Sequence, residues 1–264
     1  MLVELLGKST SMRVVEAADG VHVTPNCVFV IPPHATLPIE AGRLKVDLPA
    51  PPRDRRRPID TFFQSLAEDQ GKNAIGIVLA GTGSDGSLGL AIIKEHGGLT
   101  LAQAEFDSHA IPGIPQSATL TGQVDEVLAV EAMPARLIAY KRHLTSVVEH
   151  KGDGARENAG SYLSTIMAAL RSRSGHDFSE YKEETLVRRL QRRMQVLQLD
   201  TPDAYVEYYR RQPAELELLF QELLIGVTEF FRDPAASDAL AATVLKDLAV
   251  GKGADVHGGD KPGP

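Results

Sequence analysis

The stretch from Ala74 to Gln103 constrains the fold more than any other. It holds an apolar run Ala74 to Ala80, a glycine turn Gly81-Thr-Gly83-Ser84-Asp85-Gly86, a helical pattern over about Leu88 to His96, and a second apolar run Leu99 to Gln103. Two short apolar runs with a helix between them read as strand, crossover helix and strand, the unit from which parallel sheets are built. A further helix over about Asp60 to Gln70 precedes this unit, and a strand near Glu126 to Ala129 and a helix from about Met133 to His143 follow it. Upstream, Val21 to Val23, Cys27 to Ile31 and Leu44 to Leu48 read as short β pieces separated by proline and glycine turns. The connection Pro49 to Pro58, with Arg53, Arg55, Arg56 and Arg57, reads as extended and charged. The region Ala104 to Gln116 reads as a loop, with a short helix opening at Ser117.

After residues 150–160, small and charged, the pattern becomes purely helical. Tyr162, Leu163, Ile166, Met167 and Leu170 share one helical face that stops at Gly175. On the next helix, about Lys182 to Leu197, the side chains Leu186, Leu190, Met194 and Leu197 fall within an arc of about 80°. Arg188 and Arg192 point away from that arc, flanked by Arg189 and Arg193, so the pattern predicts one buried face and one cationic, exposed face. Thr201 with Pro202 behind it is a helix N-cap followed by proline at the first helical position. The expected organisation is an α/β unit over 1–145, a linker over 146–160, a helical domain over 161–245 and a disordered tail over 246–264.

Composition excludes several function classes. The formal charge is −7, so no global basic field exists to hold nucleic acid, and no run approaches the roughly 20 apolar residues of a membrane span. One cysteine, Cys27, rules out an intrachain disulfide framework and a multi-cysteine metal site. The start of the chain lacks the features of a secretory signal, and the expected location is cytoplasmic.

The glycine turn carries three readings. It satisfies GxGxxG between a strand and a helix, with Glu105 about 20 residues on, as a dinucleotide site would; Asp85 then sets a carboxylate beside a dianion. Alternatively, an Asp at the carboxyl end of a parallel strand accepts a hydrogen bond from an imidazole and fixes its tautomer, as a serine hydrolase triad requires. Thirdly, the segment is a tight strand-to-helix turn in which Asp85 caps the helix that follows. The chain contains no GxSxG turn, and its histidines have ordinary readings: His22 and His34 in the β and proline-rich leader, His96 at a helix end, His109 in a loop.

Several segments together resemble a known family. Pro58-Ile-Asp-Thr-Phe-Phe-Gln-Ser-Leu-Ala-Glu, Ile75-Gly-Ile-Val-Leu-Ala-Gly-Thr-Gly-Ser-Asp-Gly, Ile114-Pro-Gln-Ser-Ala and Thr121-Gly-Gln-Val-Asp-Glu-Val-Leu resemble the C-terminal part of the CheB-type receptor methylesterase domain over about residues 1–142. Gly175-His-Asp-Phe-Ser-Glu-Tyr-Lys, Arg188-Arg-Leu-Gln-Arg-Arg-Met and Leu223-Leu-Ile-Gly-Val-Thr-Glu-Phe-Phe-Arg-Asp-Pro resemble the N-terminal domain of the CheR-type receptor methyltransferase over about 160–245. In this order they are similar to fused CheB/CheR proteins of chemotaxis-like signalling.

The resemblance implies an incomplete doubly wound, mostly parallel α/β sheet followed by a small all-α domain. It implies that Asp85 matches the triad aspartate, and that the family's nucleophilic serine and triad histidine would lie before Met1. It places Thr228 and Arg232 at the rim of a methyl-donor pocket, and makes Arg188, Arg189, Arg192 and Arg193 a docking surface for methyl-accepting receptor helices. The full family uses S-adenosylmethionine; for this chain no cofactor is expected, since the family's donor-binding loop would follow residue 264. The expectation is therefore a fragment of a bifunctional protein-glutamate methylesterase and methyltransferase that is catalytically inactive as given. The sheet would lack its first strand, leaving an exposed edge and marginal stability or association through it. A non-enzymatic adaptor using the arginine helix, and a dinucleotide-binding protein, are the rival readings.

Overall fold

A computed structural model describes residues 2–48, 57–104, 113–149, 159–178 and 180–224. The chain divides into two units, Met1–Phe220 and Gln221–Pro264, and of the second the described residues are Gln221–Leu224. The expected disordered tail and most of the expected linker lie outside the described residues, as do Glu105, His109, Thr228 and Arg232.

The centre of the first unit is a parallel sheet of β5 (Ile75–Val78), β6 (Leu99–Gln103) and β7 (Glu126–Leu128), in that order. Ile75 pairs with Leu99, and Leu101 with Glu126. β6 is the inner strand, and its near-continuous apolar run suits burial on both faces. Alternation sends its side chains to opposite layers. Ala102 joins Val78 in a core with Phe63 and Ala67 of α2 (Pro58–Gln70), Leu90 and Ile93 of α3 (Ser87–Glu95), and Ala118 of α4 (Ile114–Leu120). Leu99 and Leu101 pack on the other side with Tyr140 of α5 (Met133–Glu149) and Val196 of α7 (Glu183–Leu197). The predicted strand, crossover helix and strand are therefore present, and α3 makes the crossover.

Before the sheet come α1 (Leu2–Gly7), β1 (Arg13–Glu16), β2 (Cys27–Val30), β3 (Ile39–Glu40) and β4 (Arg43–Leu44). β1 and β2 form a parallel pair and β3 and β4 an antiparallel one. Ala17, Leu37, Ile39 and Leu44 make a small core against Phe62 and Leu66 of α2. The strand expected at Val21–Val23 reduces to a single bridge between His22 and Arg43, because the backbone there pairs with residues 42 and 44 across a turn. α4 begins at Ile114, earlier than predicted: Gly113 is its extended N-cap and Pro115 lies in its first turn, where a missing N–H costs nothing.

The helical region contains α6 (Ala159–Ser174), α7, α8 (Pro202–Arg211) and α9 (Ala214–Leu224). Thr201 Oγ1 accepts from Ala204 N at 3.2 Å with Pro202 behind it, the predicted cap. Leu186, Leu190 and Met194 are buried, as their spacing requires. The predicted exposed cationic face is corrected by the structure. Arg188 is exposed, but Arg189, Arg192 and Arg193 are 2%, 3% and 3% accessible. The physical reason is that the arginine face packs as tightly as the leucine face, with each guanidinium fork meeting fixed acceptors. Arg193 makes a bidentate pair with Glu215 at 2.8 and 2.7 Å, and Glu215 also accepts from the Tyr205 hydroxyl at 2.9 Å, which ties α7, α8 and α9 together.

Candidate functional site

The glycine turn leaves the carboxyl end of β5, the position where open α/β sheets place their chemistry. It is held from several sides. Ile114 N donates to Gly81 O at 2.9 Å, the Ser117 hydroxyl donates to Gly83 O at 3.2 Å, and Ala80 N donates to Gln103 Oε1 at 2.9 Å. Arg57 Nη2 donates to Ser84 O at 3.2 Å while its Nε pairs with Asp60 Oδ2 at 2.6 Å.

Asp85 is half-buried and faces the start of α2, not α3. Its Oδ2 accepts from Ile59 N at 3.1 Å and its Oδ1 from Asp60 N at 3.0 Å. Arg57, the N-cap residue of α2, makes no side-chain cap bond, so Asp85 satisfies two amides that would otherwise lack acceptors. Of the three readings of the turn, the one in which Asp85 caps the helix after it is corrected here. That helix has Gly86 as N-cap, and its Gly89 N donates at 2.7 Å to Asp60 Oδ1. The two aspartates thus cap each other's neighbouring helix. Burial, with some contribution from the nearby Asp85 charge, raises the Asp60 carboxyl above its ordinary value against the lowering effects of Gly89 N–H and Arg57.

This exchange needs the helices close together. A Cβ on Gly89 would lie 2.5 Å from Phe63 Cβ and 3.1 Å from Asp60 Cα, and one on Gly86, at φ +92°, 2.7 Å from Ile59 Cγ2. The last glycine of GxGxxG therefore permits helix packing at a left-handed backbone position. With Asp60 already on Gly89 N and Asp85 beside it, the loop offers two carboxylates where a dinucleotide would bring its pyrophosphate.

Sequence reasoning singled out Asp85 and passed over Asp60 and Arg57, which the structure places against it or its loop. Asp60 carried a usable signal, an acidic residue just inside a helix that opens with proline. Arg57 had none, being one of a run of arginines. Among the described residues no group of histidine, cysteine and carboxylate side chains is arranged to hold a metal ion, and Cys27 is partly buried and unpaired with another cysteine.

The second group of predicted site residues, the α7 arginines, lies elsewhere in the unit. Arg189 Nη1 donates to Glu95 O at 3.1 Å, and Arg192 Nη2 donates to Gly98 O and to Asp125 Oδ2, both at 2.7 Å. Asp125, whose side chain is wholly buried and which sequence reasoning also missed, accepts from Thr100 N at 2.9 Å and from the Thr100 hydroxyl at 3.0 Å, and lies 3.5 Å from Lys94 Nζ. Desolvation pushes its carboxyl up, yet Arg192 and Lys94 outweigh this and hold it below the ordinary aspartate value.

Comparison with known proteins accounts for both regions. The CheB methylesterase family profile matches residues 1–137, more than half of the chain. The chain belongs to the CheB methylesterase family. Residues 162–224 match the all-alpha domain of CheR methyltransferases, so the architecture is a CheB/CheR fusion. An "Uncharacterized 104.1 kDa protein in hypE 3'region" of Rhodobacter capsulatus is 33% identical over 94% of this chain and 28% of its own length. The "Protein-glutamate methylesterase/protein-glutamine glutaminase" of Pectobacterium atrosepticum is 36% identical over 52% of this chain and 40% of its own. "Protein-glutamate methylesterase FrzG" of Myxococcus xanthus is 36% identical over 53% and 42% respectively. The chain thus spans less than half the length of these relatives. The crystal structure of the Thermotoga maritima CheB methylesterase catalytic domain aligns over 52% of this chain and 74% of that one, at 29% identity and a TM-score of 0.46. No helix among the described residues of this CheB-family chain is long and apolar enough to cross a membrane.

Proposed function

We propose that this CheB-family chain works on methyl-accepting receptors in chemotaxis-type signalling. Asp85 is the carboxylate that orients the imidazole of a serine esterase, and the helical region is the receptor-binding part of a glutamate methyltransferase. The observation that carries the reading is the placement of Asp85 at the carboxyl end of a parallel strand. Its two oxygens are fixed by Ile59 N and Asp60 N, while the residue stays half-exposed. A carboxylate held this rigidly presents a remaining lone pair in a fixed direction, as orienting an imidazole demands.

Hydrolysis of a γ-glutamyl methyl ester through an acyl-serine needs a nucleophile and a base besides this orienter. Residues 1–264 contain no GxSxG turn to hold the nucleophile, so this polypeptide on its own leaves receptor methyl esters intact. Thr228 and Arg232 belong to the rim of the methyl-donor pocket, for S-adenosylmethionine in the assembled methyltransferase. The dinucleotide reading is set aside on the ground that Asp60 already occupies the amide of Gly89.

The test uses a receptor cytoplasmic fragment carrying radiolabelled glutamyl methyl esters. The chain is expected to co-sediment with the fragment at low salt and to release no methanol above buffer. Methanol release by the chain alone would overturn the account of the absent partners. Absence of receptor binding, combined with saturable binding of NAD, would overturn the receptor reading.

A further inference from the structure

Two groups of the polar face of α7, Arg189 and Arg192, meet a surface of the methylesterase-family region, while Arg193 pairs with Glu215 of α9. That surface is built from the C-terminal end of α3 and the residues that lead into β6 and β7. Glu95 O and Gly98 O are carbonyls at and just beyond the end of α3, where the helix dipole is negative, and Asp125 adds a full charge between them and β6. Arg189 and Arg192 of α7 enter this anion-lined site and are almost completely buried there. Around it, Gln195 Nε2 donates to the Tyr140 hydroxyl at 3.0 Å, Arg136 Nη2 donates to Val196 O at 2.7 Å, and His143 Nδ1 stands 3.2 Å from Asp200 Oδ1. Val196 closes the contact by packing on Leu99, Leu101 and Tyr140. Each of these contacts joins residues within 95–143 to residues within 189–200, so the CheR-type helix covers one face of the CheB-type sheet.

The arginine face needs carboxylate and carbonyl acceptors, and an acidic helical partner would offer the same chemistry. We propose that the α/β region holds α7 in a closed state by presenting its own acidic site to the arginine face, and that a glutamate-bearing helix competes with Asp125 for that face. The competitor's identity rests on the receptor reading above; the closed state itself does not. Two features make the closed state reversible. When α7 leaves, Asp125 keeps Lys94, Thr100 N and the Thr100 hydroxyl as partners, so the vacated carboxylate is not stranded. Arg188, exposed on α7 while its neighbours are covered, gives an acidic helix a first point of electrostatic contact.

The experiment places a donor and an acceptor dye at Gln64→Cys on α2 and Arg211→Cys on α8, both exposed positions, in a Cys27→Ser background. The probe is a synthetic helical peptide with glutamate at every fourth residue along one face, and the all-glutamine peptide is its control. The closed chain should show high energy transfer that falls on adding the glutamate peptide and not the glutamine peptide. Asp125→Asn should lower transfer without peptide, and should tighten glutamate-peptide binding by about tenfold, because less of the population is withheld from the ligand. Arg192→Met should lower transfer in the same way, and circular dichroism should show both variants folded. Unchanged transfer in both folded variants would overturn the closed state. Lowered transfer in Asp125→Asn, with no glutamate-peptide binding by either protein, would leave the closed state standing and overturn the receptor reading instead.

Discussion

Asp85 and Asp60 act as a reciprocal pair, and the consequence is that the residue proposed to orient an imidazole also stabilises the fold. Removing the Asp85 side chain strips two acceptors from the first turn of α2. Asp85→Ala should therefore destabilise the chain by about 1–2 kcal/mol, the usual cost of losing a helix cap, read as a lower urea midpoint with unchanged m-value. Were the carboxylate only an orienter, the midpoint would not move. Asp85→Asn should recover part of the loss, since an amide oxygen can still accept one of the two N–H bonds. The sequence made Asp85 visible because a glycine turn between a strand and a helix is a local pattern. Its partner amides lie about 25 residues upstream, so local sequence offers α3 as the helix an Asp85 cap would serve, whereas the helix it caps is α2.

At the scale of elements, the legible parts were those whose reason is local. β6 follows from a nearly continuous apolar run, and α8 from Thr201-Pro202, whose cap bond to Ala204 N is formed. Thr201→Ala should cost about 1 kcal/mol of stability by thermal or urea unfolding, and Thr201→Asn nearly nothing. The α2–α3 contact is less legible, because Gly89 reads as a weak helix residue until the helix it faces is known. Gly89→Ala should disrupt the contact despite raising helix propensity: its Cβ would lie 2.5 Å from Phe63 Cβ, in contact with an aromatic residue that the core holds fixed. The expected loss is about 1–3 kcal/mol, the range for overpacking, and a stabilised variant would refute the packing argument. α7 shows where periodicity stops informing. Its leucine stripe was read correctly, but charge on the opposite face looks the same whether it is solvated or paired. The positions of acceptors far along the chain distinguish the two: Asp125, 67 residues from Arg192, and Glu215, 22 residues from Arg193.

For the molecule as a whole, Asp125 ties stability and compactness to a buried ionised group that joins α7 to the sheet. Removing either partner of a buried pair leaves the other uncompensated, which costs about 3–5 kcal/mol for a well-bonded pair. Here Lys94 and Thr100 remain with Asp125, so Arg192→Met should sit at the lower end of that range and Asp125→Ala, which removes the carboxylate that both cations share, at the upper. In the double variant the costs should add to less than their sum, since the pair is counted once. The pH dependence has a definite sign. The Asp125 carboxyl is depressed in the folded chain, so the native state holds fewer protons than the unfolded state between the depressed value and 3.8. The stabilisation from Asp125 is therefore fully present above the ordinary aspartate value, and it is lost as pH falls through the folded one. Asp60, raised by burial, works in the opposite direction: its native carboxyl takes up a proton first, which favours the folded state as pH falls. The two contributions separate by subtraction. The stability of the chain minus that of Asp125→Asn, measured by urea unfolding, should be flat from neutral pH to about pH 5 and should shrink below pH 4. A difference that grew on acidification would mean that Arg192 and Lys94 do not outweigh the desolvation of Asp125.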